Sequence, residues 1–251
     1  MAQIDRTLQV RGYEIDRHGR IPLATFFKYN EHARWAALQD PNSGFAGIMR
    51  RGGKLPIRAQ HFTLGQNVDV GTELRASLGI LKVGNSSIKL LHELNRIRDN
   101  AMVAQALVTC VHIGSDQRAV RVPDDLRERV DPALLTPETP GTFEETPRDA
   151  WSFPITIRNA DIDMLQHVNQ ARYIEYMGDA RVRATTANAY GANPPALSSN
   201  PKQLAIEYNR EVVFGDDLVM KTWRGATGAV QFAGHVGKEQ TPRFKAWAHF
   251  E

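Results

Sequence analysis

The sequence predicts an α+β protein built twice over, as two related units that each wrap an antiparallel β-sheet around one long helix. Three observations carry that expectation. The chain has 251 residues, 42% of them apolar and 24% charged, which suits one large domain or two of roughly 100–150 residues. A proline-rich, acidic stretch interrupts it around the midpoint. The flanks on either side of that stretch repeat one another.

The repeat is visible without gaps. DRHGRIPLATFFKYNEHAR (16–34) lies over DMLQHVNQARYIEYMGDAR (163–181) at an offset of 147. Five of 19 positions match: Asp16/Asp163, Ala24/Ala171, Tyr29/Tyr176, Ala33/Ala180 and Arg34/Arg181. About one match would arise by chance at ordinary residue frequencies. Further on, LGQNVDVGTEL (64–74) lies over YNREVVFGDDL (208–218) at an offset of 144, pairing Val68/Val212, Gly71/Gly215 and Leu74/Leu218.

Each unit reads in the same order. The first, residues 1–114, opens with an extended segment from Leu8 to Ile15. A helix of about 18 residues follows, with Leu23, Phe26, Phe27, Ala33 and Ala37 near helical spacing. Pro22 suits its first turn, and Asp40-Pro41 stops it. After an irregular Gly/Pro loop (41–56) come alternating strands such as ELRASLGIL, SIKLLHELN and AQALVTCVHI. Residues 115–150 hold five of the 13 prolines, so they read as a connector with a short helix at Asp124 to Val130. The second unit, residues 151–251, repeats the pattern. It has an extended Phe153 to Ile157, then a helix capped by Asn169 and marked by Val168, Ala171, Ile174, Met177 and Ala184. A loop (188–202) and more strands complete it. One long apolar helix followed by an antiparallel meander is best buried when the sheet wraps the helix. That is a hotdog, here a tandem (double) one.

Composition narrows the function classes. Residues 1–114 hold 15 Lys/Arg against 9 Asp/Glu, a balance of +6; residues 115–150 stand at −4 and residues 151–251 at +1. An excess of six over 114 residues is too dilute for nucleic acid, and suits an acidic protein or a phosphorylated substrate. The single cysteine, Cys110, excludes an internal disulfide, a thiolate zinc site and a CxxC pair. It sits in an apolar strand, as a packing residue. No apolar run approaches the roughly 20 residues that span a bilayer, and the start of the chain shows no secretory signal. A cytoplasmic location is the expectation. There is no GxSxG elbow, no GxGxxG loop and no HExxH, and GIMRRGGKL fails the spacing of a phosphate loop. No metal or cofactor is expected.

What remains is ADIDMLQHVNQARYIEYMGDAR, residues 160–181. This block resembles the active-site segment of hotdog-fold thioesterases, whose pattern is roughly D-x-D-x-x-x-H-V-N-x-x-x-Y. The duplicated layout resembles the double-hotdog fatty-acyl-ACP thioesterases in particular, and EYNRE (207–211) looks like that family's second signature. The resemblance places Asp163 on the catalytic carboxylate, His167 on the catalytic histidine and Glu211 on the second acidic residue. It departs at Leu165, where the family often has asparagine, and at Val212, where some members have cysteine. It implies hydrolysis of acyl-ACP or acyl-CoA thioesters to the free acid, in fatty acid metabolism, with a homodimer left open.

The chemistry agrees with that implication. Thioester hydrolysis needs a base for water and donors for the oxyanion. Asp163 and His167 fall in the turn leading into the helix that starts near Asn169, beside its opening N–H groups and the positive end of its dipole. Glu211 is expected on a strand just before the Gly215-Asp216 turn. A carboxylate there acts as general base or attacks directly to form an anhydride. Asn169 reads more as a cap than as a participant, though with Tyr173 it is a candidate for substrate binding; Asp161 reads as structural, and Tyr173 and Tyr176 read as core or substrate-pocket wall. In the first unit Arg20, Pro22 and Asn67 stand where His167, Asn169 and Glu211 stand in the second, so only the second is expected to react. The loop carrying Arg50, Arg51 and Lys54 is the densest basic cluster, and suits a phosphopantetheine phosphate or an acidic carrier protein. Two other readings exist: a hotdog dehydratase acting on 3-hydroxyacyl thioesters, which the DxDxxxHVN pattern opposes, and a non-catalytic acyl-thioester binding module.

Overall fold

The computed structural model describes residues 4–139 and 141–250. They fall into two compact units, Met1–Thr139 and Pro140–Glu251.

The first unit begins with β1 (Ile4–Gln9), shorter and earlier than the extended Leu8–Ile15 expected from sequence. The chain leaves the sheet because Gly12–Glu14 curls into a 3₁₀ turn, closed by the Glu14 carboxylate accepting from the Arg11 amide at 2.8 Å. The long helix α1 (Leu23–Gln39) follows Pro22, whose extended ψ of 147° sets the chain for helix start, and ends at Asp40. Within the loop expected to be irregular lies a six-residue helix, α2 (Phe45–Arg50). It is too short for periodicity to reveal, yet buries Phe45 and Ile48. Gly44 (φ 81°) turns the chain into it, a left-handed conformation glycine takes without strain.

Four strands follow: β2 (Ile57–Leu64), β3 (Glu73–Val83), β4 (Ser87–Arg96) and β5 (Met102–Val111). Their order with β1 is β1-β3-β4-β5-β2, every pair antiparallel. Leu78, His92, Ala106 and Phe62 are cross-strand partners in one row, so their side chains share a face. Phe62 stacks on Phe27 of α1 with ring centroids 4.0 Å apart, which puts α1 on that face. Burying each such side chain contributes about 1.5–3 kcal/mol. The polar residues buried in this unit include Asn30, Arg34, Gln60 and His92. Neither ring nitrogen of His92 has a hydrogen-bond partner among the described residues. Burial first, and then the Arg34 charge, hold its pKa well below the usual histidine value. Burial likewise pushes the Cys110 thiol up to about 11, so the packing role read for it fits.

The second unit holds β6 (Trp151–Ile155), the helix α4 (Gln170–Thr186), β7 (Gln203–Tyr208), β8 (Leu218–Arg224), β9 (Val230–Val236) and β10 (Phe244–His249), with α3 (Asp124–Arg127) preceding them in the first unit. The strand order is β7-β10-β9-β8-β6, again antiparallel. β6 lies at the end of that order, where Pro154 deprives no second neighbour of an amide bond. The row matching that of the first unit is Thr222, Phe232, Ala246 and Ile206, so Phe232 takes the position of His92. Arg181, the partner of Arg34 in the repeat, is buried and donates to the carbonyls of Ala196, Leu197 and Ser199, which anchors the 188–202 loop.

The segment expected as a connector is divided between the units. Leu126 of α3 is fully buried, Asp131 N–H bonds the Ile80 carbonyl and the Arg127 guanidinium bonds the Gly84 carbonyl, all in the first unit. Past the boundary, the Ala226 amide donates to Glu144 and the Gln231 amide to the Thr142 carbonyl. Prolines stop regular structure here but do not stop packing. α3 is also shorter than the helix expected to reach Val130, whose place is taken by a bridge to Ile80. No described helix is long and apolar enough to cross a membrane, and no three His, Cys, Asp or Glu side chains among the described residues group as metal ligands.

Candidate active site

The site grows from a rigid acid. Arg158 precedes a 3₁₀ turn, Asn159–Asp161, and grips the Asp161 carboxylate with its backbone amide (2.9 Å) and guanidinium (2.8 and 3.1 Å). Tyr176, one and a half turns into α4, donates to the same carboxylate at 2.7 Å. Burial disfavours the charge on Asp161, but the Arg158 and Tyr176 bonds outweigh it and hold the carboxyl below its usual range. The Asp161 carbonyl then accepts from Asn169 N–H at 2.9 Å, which ties the start of α4 to this acid.

Between those anchors, residues 163–167 close a tight turn. Asp163 N–H donates to the His167 carbonyl and Gln166 N–H to the Asp163 carbonyl, both at 3.0 Å. Gln166 adopts φ 67°, a left-handed conformation that costs a non-glycine residue about 1–2 kcal/mol. One carboxylate oxygen of Asp163 accepts from the Leu165 amide at 2.8 Å, and its other takes no hydrogen bond from the described residues. Leu165 thus serves through its backbone, and its side chain is exposed. His167 lies half-buried beside Asp163, Nδ1 to Oδ1 3.8 Å, too long for a hydrogen bond. Nδ1 instead lies 3.2 Å from the Val168 carbonyl. A carbonyl only accepts, so Nδ1 is the donor in this contact.

Asn169 is the helix cap expected: its side chain accepts from Ala171 N–H at 2.9 Å. The opening amides are therefore less open than the sequence reading supposed. Ala171 and Arg172 already donate to Asn169, and Val168 donates to the Val212 carbonyl at 2.8 Å. The helix dipole remains, worth about 0.3–1 kcal/mol toward negative charge at an exposed N-terminus.

Glu211 does not lie on a strand, as expected, but in the loop after β7. The strand ends because Asn209 and Arg210 both donate to the single carbonyl of Arg243. That loop is nonetheless fastened to the histidine segment through Val168 and Val212. Val212 N–H donates to the Tyr173 hydroxyl at 3.3 Å. The two arginines that could have neutralised Glu211 are engaged elsewhere, Arg210 with Glu239 and Arg158 with Asp161. Glu211 is exposed, and its carboxylate makes no ion pair with any described residue. Tyr173 is buried; burial, then the nearby Glu211 and Asp163 charges, push its phenol pKa up.

Residues 10–130 match the thioesterase-like superfamily, and residues 144–246 match the acyl-ACP thioesterase C-terminal domain. An acyl-ACP thioesterase from Bacteroides thetaiotaomicron superposes with a TM-score of 0.83 at 14% identity, over 98% of this chain and 97% of the other. The 12:0-ACP thioesterase from Umbellularia californica gives 0.76 at 16% identity, over 99% and 97%. The chain is a hotdog-fold thioesterase, and it resembles the acyl-ACP thioesterases. It hydrolyses thioesters.

The first unit of this thioesterase repeats the frame, with Arg20, Pro22 and Asn67 at the positions of His167, Asn169 and Glu211. Asp16 holds the same turn, its amide bonding the Arg20 carbonyl at 2.8 Å and its carboxylate accepting from His18 and Arg20. Arg11, Glu14 and Tyr29 reproduce Arg158, Asp161 and Tyr176, with Tyr29 donating to Glu14 at 2.7 Å. This frame was missed from sequence, although the repeat's offset carries Arg158 onto Arg11 and Asp161 onto Glu14. Arg50, Arg51 and Lys54 are exposed as expected. They lie not on one loop but at the end of α2, just after it, and on a bridge to Ile113.

Proposed function

We propose that the second unit carries one reactive site per chain, formed by Asp163, His167 and Glu211, and that it releases fatty acids from acyl-ACP. One observation carries the reading: the Val168–Val212 hydrogen bond joins the loop of Glu211 to the segment of His167, while two of the three reactive groups keep unengaged polar atoms. In this reading Asp163 or Glu211 takes the proton of a water whose oxygen adds to the thioester carbonyl. The positive end of α4 favours the resulting oxyanion. Collapse expels the thiol, protonated by the group that took the water proton, and leaves the carboxylic acid. The wrapping of each sheet around its helix belongs to the same reading, supported in the first unit by the Phe27–Phe62 stack.

Arg50, Arg51 and Lys54 would meet the acidic helices of the carrier. Opposed charges raise association rate more than the rate of chemistry, and salt weakens them over a screening length of roughly 8–10 Å. Matched acyl-ACP and acyl-CoA substrates, assayed with a thiol-trapping reagent, test both claims. The Arg50→Glu/Arg51→Glu variant is expected to lose about tenfold in kcat/KM for acyl-ACP, and little for acyl-CoA, with kcat nearly intact. Equal losses on both substrates would assign the cluster to the pantetheine phosphate, and no turnover of either substrate by the wild type would refute the function. A cytoplasmic setting suits the single, buried, unpaired Cys110.

A further inference from the structure

We propose that Tyr173 is a positioning residue whose hydroxyl sets Glu211 against the Asp163–His167 turn. This rests on the reading of Glu211 as part of the reactive set. The geometry starts at Val212, the residue after Glu211. Its carbonyl accepts from Val168 N–H at 2.8 Å and its N–H donates to the Tyr173 hydroxyl at 3.3 Å. Both backbone groups of the residue after Glu211 are therefore held, the carbonyl by the histidine segment and the N–H by the first turn of α4. The ring that presents the hydroxyl cannot swing: it is buried and meets Tyr208 and Phe244 edge-on, at 5.4 and 4.8 Å. Burial and two neighbouring carboxylates keep the phenol protonated, so the hydroxyl persists as a neutral anchor.

The duplication supplies an independent argument. At the offset of 147 that aligns α1 with α4, Tyr173 falls on Phe26, equally buried. The core of that unit accommodates a ring there without a hydroxyl. By contrast Tyr176 falls on Tyr29, and both keep the hydroxyl that grips the frame acid. So the hydroxyl of Tyr173 is missing in the unit that has Asn67 for Glu211 and Arg20 for His167. It follows the reactive set and not the frame.

A double-mutant cycle on the full chain decides the matter. Tyr173→Phe, Glu211→Gln and the double variant are assayed for kcat and KM on one acyl thioester, with a thermal melt of each. Glu211→Gln is expected to lower kcat at least tenfold, and Tyr173→Phe roughly tenfold with KM within about twofold. The double variant should be no slower than Glu211→Gln alone, because removing the carboxylate removes what the hydroxyl positions. Phe26→Tyr, the reverse change in the other unit, should leave kcat unchanged. Wild-type kcat in Tyr173→Phe, or a double variant slowed by the product of the single losses, overturns the inference while Glu211 keeps its role. Wild-type kcat in Glu211→Gln overturns both readings together. Should Tyr173→Phe melt far below the wild type, Val212→Pro removes the same hydrogen bond from the other partner, and the same coupling to Glu211→Gln is required of it.

Discussion

Residues 11–34 and 158–181 fold to the same plan, and their difference separates what the fold needs from what the chemistry needs. Both stretches begin with an arginine whose amide is bonded by an acid three residues on, both send a helical tyrosine hydroxyl to that acid, and both close a five-residue turn on an aspartate. Shared features are thus frame. The differences include the positions proposed to react and the left-handed corner, which is Gly19 (φ 72°) in the first turn and Gln166 (φ 67°) in the second. A glycine takes that corner freely, whereas glutamine strains to hold it. Sequence identity between the turns therefore marks support, and the aspartate shared by both forms the turn in each, besides being the proposed base in the second.

That ambiguity sets the sharpest test. Asp163→Asn keeps the side-chain oxygen that accepts from Leu165, so the fold should survive while kcat falls by roughly 10²–10⁴ if the carboxylate is the base. Asp16→Asn should leave kcat within a few-fold. Equal effects of the two substitutions, in either direction, would erase the functional distinction between the turns.

A smaller contrast concerns the cores. His92 is buried and neutral where the second unit has Phe232. Its folded pKa lies below the unfolded value of about 6.5, so the unfolded chain binds the extra proton. Stability is then full above that value and falls as pH drops through it, by up to about 1.4 kcal/mol per pH unit. Arg34, the buried cation nearby, lowers the folded value further and so widens the pH range over which stability is lost. Chemical denaturation of the wild type and of His92→Phe between pH 7 and 5 should show a difference that grows toward acid. Parallel curves would mean that other groups govern acid unfolding.

The smallest expected effect checks the frame. Tyr29→Phe and Tyr176→Phe each remove one hydrogen bond to a carboxylate, and each should cost about 1.5–3 kcal/mol of stability with kcat little changed. A large kcat loss confined to Tyr176→Phe would move that residue from frame to mechanism.

Much of this was legible in the sequence, because periodicity and repetition are local signals. The α1 and α4 boundaries fell within a residue or two, and Asn169 was identified as cap from its type and place alone. What escaped was set by tertiary partners. The placement of Glu211 on a strand failed because Arg243, 32 residues away, takes the amides that would have continued β7. The supposed openness of the α4 amides failed because Asn169 and Val212 take neighbouring polar groups. The link from Tyr173 to Val212 joins residues 39 apart and leaves no local mark. The frame acids left one, at the repeat's own offset, but outside the block where identity was counted.

Because the frame closes on its own residues in each unit, its turn behaves as a socket whose occupants can be exchanged. The first unit holds the socket with Arg20, Pro22, Phe26 and Asn67 in it, at the positions of His167, Asn169, Tyr173 and Glu211. Transplanting those four side chains asks nothing of Arg11, Glu14, Tyr29 or Asp16, which already stand as their counterparts do. A gene duplication of this kind leaves behind, inside the same chain, a recipient for the chemistry that its twin retained.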